Sequence, residues 1–301
     1  MAGLYDLEYH EKKIKEYQPP LAKLNKVIQW DMFRTPIEEA LYVEPKGAGG
    51  RSAFDKVMMF KILILQKYYN LSDEQTEFQI NDRTSFKQFL ELKIGDTRPD
   101  QKTIWHFKEQ LTNKNVAQKL FELFTGQLPS KGVIAKEGSM IDAKWMTKSA
   151  ERHYGYKDHI NADAKTKLIT KYSVSSVAPH DSTEVENIID NTDKRLHPDS
   201  AYRSKDIEKF LKEQNCESFV HEKGYRGKPL TEEQKESNNT KSKIRARIEH
   251  IFGFMTNSMH DALHMRSIGI KRITSSIGFL NLTYNLFGYE QLVRLQKVKV
   301  M

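Results

Sequence analysis

The apolar pattern of the chain changes at Pro129, from helical spacing to strand-like alternation, which restricts it to folds that join a helical array to a sheet. From Ser52 to about Gly126 the segments read as consecutive short helices. "SDEQ" at 72–75 and "SFKQ" at 85–88 both fit a capping box, in which a serine oxygen and a glutamine three residues on satisfy free amides. A third helix is predicted after Asp100, with Ile104, Phe107 and Leu111 on one face, and a fourth after Asn115, carrying Val116, Leu120, Leu123 and Phe124. Several short helices with polar faces suit a helix-turn-helix-like module with Gln101, Lys102, His106 and Lys108 turned to DNA; a helical bundle that only packs fits equally well.

Beyond Pro129, "GSMIDAKWM" reads as a strand. A second strand spans Leu168 to Val177, with Leu168, Thr170, Tyr172 and Val174 on one face. "NADAKTK" joins it to "YGYKDHI" as a hairpin. "HDSTEVENIIDNT" offers Asp181 as a helix cap, with Val185, Ile188 and Ile189 buried, and "RLHPDSAY" is a short strand ending near Asp199. A further helix capped by Ser204 buries Ile207, Phe210 and Leu211, and "CESFV" is another strand. His221 to Asn239 reads as a loop, and "LNLTYNLFGYEQL" as a closing core helix. Strands mixed with helices in this order make an α/β sandwich around a mixed sheet.

"TKSKIRARIEHIFGFM", residues 240–255, places one acid, Glu249, just after Lys241, Lys243, Arg245 and Arg247. Ile244, Ile248, Ile251 and Met255 form its apolar stripe, and Glu249 lies beside that stripe with Gly253 one turn on, where a missing side chain leaves room for a ligand. An ordinary Arg245–Glu249 pair is the simpler explanation of that spacing. Two other acids change the balance: Asp142 follows the apolar "MI" within a strand, and Asp199 ends another, where an α/β sheet normally presents its site. Clustered carboxylates repel one another unless a cation sits between them, and hard divalent ions take oxygen ligands. A net charge of +8 makes a polyanion a fitting partner. The single cysteine, Cys216, excludes an internal disulfide and a cysteine zinc cluster. The apolar run "VMMFKILIL" is short and interrupted by Lys61, so a cytoplasmic, nucleoid-associated protein that does not span a membrane is expected. His153, His159, His180, His197 and His221 have no zinc-like spacing, and Tyr202 and Arg203 are candidate phosphate contacts.

The signatures "GSMIDA", "RHYGYKDHINADAKTKLITKYSVSSVAPHDS", "PDSAYRS" and "RARIEHIFGFM", in this order, resemble the DDE transposases of bacterial insertion sequences in the IS-five-like group of the IS-four superfamily. The stretch from Phe54 to Leu90 resembles the helical domain that precedes the catalytic core in those enzymes. The resemblance implies a ribonuclease-H-like core over residues 131–301, a helical DNA-binding domain over 33–130 and an N-terminal tail over 1–32. It also implies Asp142, Asp199 and Glu249 as catalytic carboxylates holding two Mg2+ ions, with Mn2+ as a substitute. Its implied partners are the element's inverted repeats and target DNA, bound by a homodimer. Only "AKWMTKSAE" separates Asp142 from Arg152, shorter than in many such enzymes, so a non-catalytic DNA-binding protein or repressor is the competing expectation.

Overall fold

The structure, a computed structural model, describes residues 6–44, 53–93, 95–134, 138–146, 155–176, 181–189, 193–198, 205–219 and 231–298. The first part is helical: α1 (Asp6–Tyr17), α2 (Pro20–Val27), a 3-10 turn (Trp30–Phe33), α3 (Arg34–Ala40), α4 (Lys56–Tyr68), α5 (Asp73–Asp82), α6 (Thr84–Phe89), α7 (Gln101–Asn113) and α8 (Val116–Gln127). The strands are β1 (Ser139–Met146), β2 (Tyr156–Asp163), β3 (Ile169–Ser176), β4 (Arg195–Pro198) and β5 (Glu217–Ser218). Between and after them lie α9 (Val185–Ile188), α10 (Lys205–Glu213), α11 (Glu232–Asn257) and α12 (Ile270–Arg294).

Local chemistry explains several helix starts. Ser72 and Gln75 form the expected capping box on α5, and Asp100 accepts the Thr103 amide at the start of α7. "SFKQ" is not a cap: α5 runs to Asp82, so Arg83 alone separates it from α6 and Ser85 falls inside the helix. Within residues 1–32, expected as a tail, Leu21, Leu24 and Ile28 are buried in the main core. The expected loop to Asn239 ends at Thr231, which forms a capping box with Gln234 and opens α11 eight residues early. Asp181 begins a 3-10 turn that leads into the four-residue α9, and the Glu184 carboxylate accepts from Ser173 and Asn187. Ser204 lies outside the described residues.

The sheet has the order β3-β2-β1-β4-β5. β1–β2 and β2–β3 pair antiparallel, whereas β1–β4 and β4–β5 pair parallel, with Ile141 opposite Pro198. A bulge at Asn161/Ala162 breaks the expected face of β3: Ile169 pairs with Ala162 and is buried, while Thr170 is only part-buried and donates to the Asn161 carbonyl. The two faces have separate cores. Ile141 and Leu196 pack with Val185, Ile188 and Leu211 under α9 and α10. Met140, Met146 and Ile160 face the larger core, which includes the N-terminal helices, α11 and α12 without a break.

Helix α12 holds that larger core together, packing on α2, α4, α7, α8, β2 and β3. Its polar side chains replace missing strand partners. The Asn285 amide donates to the Ile169 carbonyl at 2.7 Å and accepts the Ile169 N–H at 2.9 Å, closing an edge strand as a neighbouring strand would. Gly278 permits the close approach, since a Cβ there would overlap the Tyr172 hydroxyl. No helix among the described residues is long and apolar enough to cross a membrane; the apolar run before Lys67 is the buried α4, where the Lys61 ammonium reaches Glu91 at 2.7 Å.

Candidate active site

Asp142 stands near the middle of β1, half-buried, and one of its oxygens accepts the Ala143 amide at 2.8 Å. Alternation along the strand puts Asp142 on the same face as Met140, Lys144 and Met146, the face covered by α11 and α12. Helix α11 packs against both β1 and β4. The Lys144 ammonium lies 5.8 Å from the Phe252 ring centre, which joins the residue two past Asp142 to the residue three past Glu249. Glu249 itself is exposed, beside the buried stripe of Ile248, Ile251 and Met255; Ile244 is part-buried at its edge. It borders a shallow concavity of about 450 Å3 with His250, Gly253 and Asn257. A Cβ at Gly253 would meet open space, so the glycine does leave room beside Glu249. Asp199, Tyr202 and Arg203 lie outside the described residues, as does the Arg245 side chain.

The basic residues of α11 do not form one patch. At 100° per residue Arg247 and Glu249 stand about 200° apart, on opposite flanks of the stripe. Arg247 reaches over the β2–β3 turn and donates to the Ala164 carbonyl at 2.8 Å. Lys243 is exposed, and Lys241 is part-buried and close enough to His197 to act on it. His197, stacked on Phe219, is pushed down to about 4 by burial and then by Arg195 and Lys241, so it is neutral at physiological pH. On α7, Gln101, Lys102 and His106 are exposed, whereas Lys108 is committed to Asp73 at 2.5 Å.

Two groups escaped sequence reasoning. Asp158 on β2 is fully buried against α12, accepts from Asn281 at 3.1 Å, and is pushed up to about 7 by burial. Lys67, at the end of α4, donates to Ser276 on α12. An acid inside a strand buried on both faces was the available signal for Asp158; nothing in the sequence around Lys67 marks it out.

Among the described residues no group of three or more His, Cys, Asp or Glu side chains is placed to hold a metal ion. The two described carboxylates nevertheless suit a hard divalent ion. Asp142 offers oxygen donors from a half-buried strand, and Glu249 offers them beside an open concavity.

Comparison with known families supplies the rest. Residues 8–110 match a model described as "Transposase domain (DUF772)", and residues 103–286 match the "Transposase DDE domain". No solved structure matches the chain. The DDE match covers more than half of the chain and implies a ribonuclease-H-like core, with which the mixed five-stranded sheet agrees. With the two models following one another along almost its whole length, the chain belongs to the DDE transposases, of the IS-four and IS-five kind.

Proposed function

We propose that this transposase binds the terminal inverted repeats of an insertion sequence, cuts a DNA strand at each end, and joins the freed 3′-hydroxyl to target DNA. Asp142, Asp199 and Glu249 would hold two divalent ions, Mg2+ or Mn2+. When bound, such ions would supply activation of an attacking oxygen and stabilisation of the leaving oxygen of a phosphodiester. The observation that carries the reading is the β1–β4 register under α11: Ile141 lies opposite Pro198, Asp142 and Asp199 are the next residues of the two segments, and the covering helix bears Glu249.

The chain's own residues supply position and charge. Asp142 is fixed by the sheet, Gly253 keeps the space beside Glu249 clear, and Lys241 and Lys243 lie in the turns of α11 that precede it. Gln101, Lys102 and His106, on the exposed face of α7, are the groups proposed to read element ends, and pairing two ends requires at least a dimer. The test is cleavage of a labelled duplex carrying the DNA that flanks the gene. Cleavage should need Mg2+ or Mn2+, stop with a chelator, and be lost in Asp142→Asn while metal-free binding persists. Binding by the parent without cleavage in either metal would make the chain a non-catalytic DNA-binding protein.

A further inference from the structure

A second basic site lies away from the carboxylates, where the end of α4, α5, α7 and the start of α12 meet the segment that follows α11. They enclose a cavity of about 380 Å3 lined by Lys67, Lys108, Arg266 and Arg272, by the acids Asp73 and Glu109, and by Trp105 at its rim. The acids are taken. Asp73 pairs with Lys108 at 2.5 Å, and Glu109 holds Arg272 through two contacts at 2.9 Å and one at 3.1 Å. The other two cations bond neutral groups: Lys67 donates to the Ser276 hydroxyl and Arg266 to the Asn70 side-chain oxygen.

We propose that this cavity binds a backbone phosphate of the DNA that the transposase holds, with Lys67 and Arg266 as its ligands; the assignment rests on the DNA-binding reading above. Four basic groups against two carboxylates leave up to two positive charges, of which one phosphodiester would offset one. Burial, and then the neighbouring Lys108 and Arg266 cations, push the Lys67 amine down to about 7, so an anion seated beside it would favour its charged form. Continuity with α7 points to DNA. Lys102, Trp105, His106 and Glu109 follow one another along a single face of that helix, and Trp105 is 48% exposed, a flat surface for a deoxyribose beside the phosphate. The cavity also joins the two parts of the chain, since Lys67 and Trp105 precede the sheet and Arg266 follows the helix of Glu249. A strand seated there would bridge the helical array and the segment leaving the catalytic helix.

The test uses the full chain, a duplex of the DNA flanking its gene, and a salt series without divalent metal. Each phosphate contact releases about one counterion, so Lys67→Met and Arg266→Gln should each lower the slope of log K against log salt by about one, with melting temperatures near the parent's. Unchanged slopes in both folded variants would overturn the proposal. Arg266 is exposed, so Arg266→Gln remains informative if Lys67→Met fails to fold. Melting in inorganic phosphate separates the sources. Stabilisation by phosphate that Lys67→Met loses, with unchanged DNA slopes, would assign the cavity to a free phosphate ligand and overturn the DNA assignment. If the parent binds no DNA at all, the transposon-end reading fails and the DNA assignment with it, whereas unchanged slopes in variants of a DNA-binding parent overturn the assignment alone.

Discussion

Helices α11 and α12 are nearly equal in length, 26 and 25 residues, and they do opposite work. In α12 nearly every residue from Ile273 to Leu292 is buried, its asparagines bond strands, and its glycines admit Tyr172 and Leu168. In α11 one stripe is buried and most other described residues are exposed or part-buried, with Glu249 on one flank and Arg247 on the other. The difference teaches where substitutions can separate stability from chemistry. A change in α12 reaches the sheet and the helical array at once, whereas a change on the flanks of α11 leaves the packed stripe intact.

The largest effect on stability should come from α12. Leu286→Ala, at a fully buried position, should cost about 2–5 kcal/mol and lower the denaturation midpoint, while DNA cleavage per folded molecule stays at the parent level. Cleavage lost in proportion beyond the unfolded fraction would blur the contrast between the helices.

Asp158 sharpens it, because its cost depends on pH. Its carboxyl ionises near 7 in the folded chain against an ordinary value of 3.8. A carboxyl raised in this way binds a proton more tightly folded than unfolded, so it imposes no penalty below about pH 4 and a full one above about pH 7. Parent stability should therefore fall as pH rises through that window, by up to about 4 kcal/mol, and Asp158→Asn should flatten the fall while keeping an oxygen for Asn281. Chemical denaturation at pH 5 and pH 8 measures it; parallel pH profiles for parent and variant would refute the buried, protonated carboxyl. The smallest effect belongs to Arg247→Ala. It removes one exposed bond to the Ala164 carbonyl and should cost about 1 kcal/mol or less by denaturant titration.

Much of this was legible in the residues. The capping box at Ser72, the Asp100 cap, the stripe of α11 and the β2–β3 hairpin follow from local rules that tertiary packing did not override. What failed depended on distance in sequence. Leu21, Leu24 and Ile28 are too few to announce a helix, and become core only because α12 and α6 pack on them. Thr231 and Gln234 open α11 in a wholly polar stretch, where the apolar period that marks a helix is missing. The open space beside Glu249 was readable because Gly253 follows it at helical spacing; the commitments of Lys108 to Asp73 and of Arg247 to Ala164 were not, since both partners come from other elements. The continuous core also changes what a dissection can do. A fragment ending near Pro129 would lack α12 and expose the apolar faces of α4 and α8, so any test of DNA binding needs the full chain.

The claim that α11 carries the chemistry rather than the fold is tested most directly by cleavage of a labelled element end with Glu249→Gln, in Mg2+, at a folded fraction equal to the parent's. The exposed position predicts an unchanged melting temperature. Replacing a carboxylate oxygen donor by an amide predicts cleavage below detection, with metal-free DNA affinity held or raised as a negative charge beside the phosphate disappears. Cleavage by Glu249→Gln at the parent rate would contradict the account and return Glu249 to an ordinary surface acid.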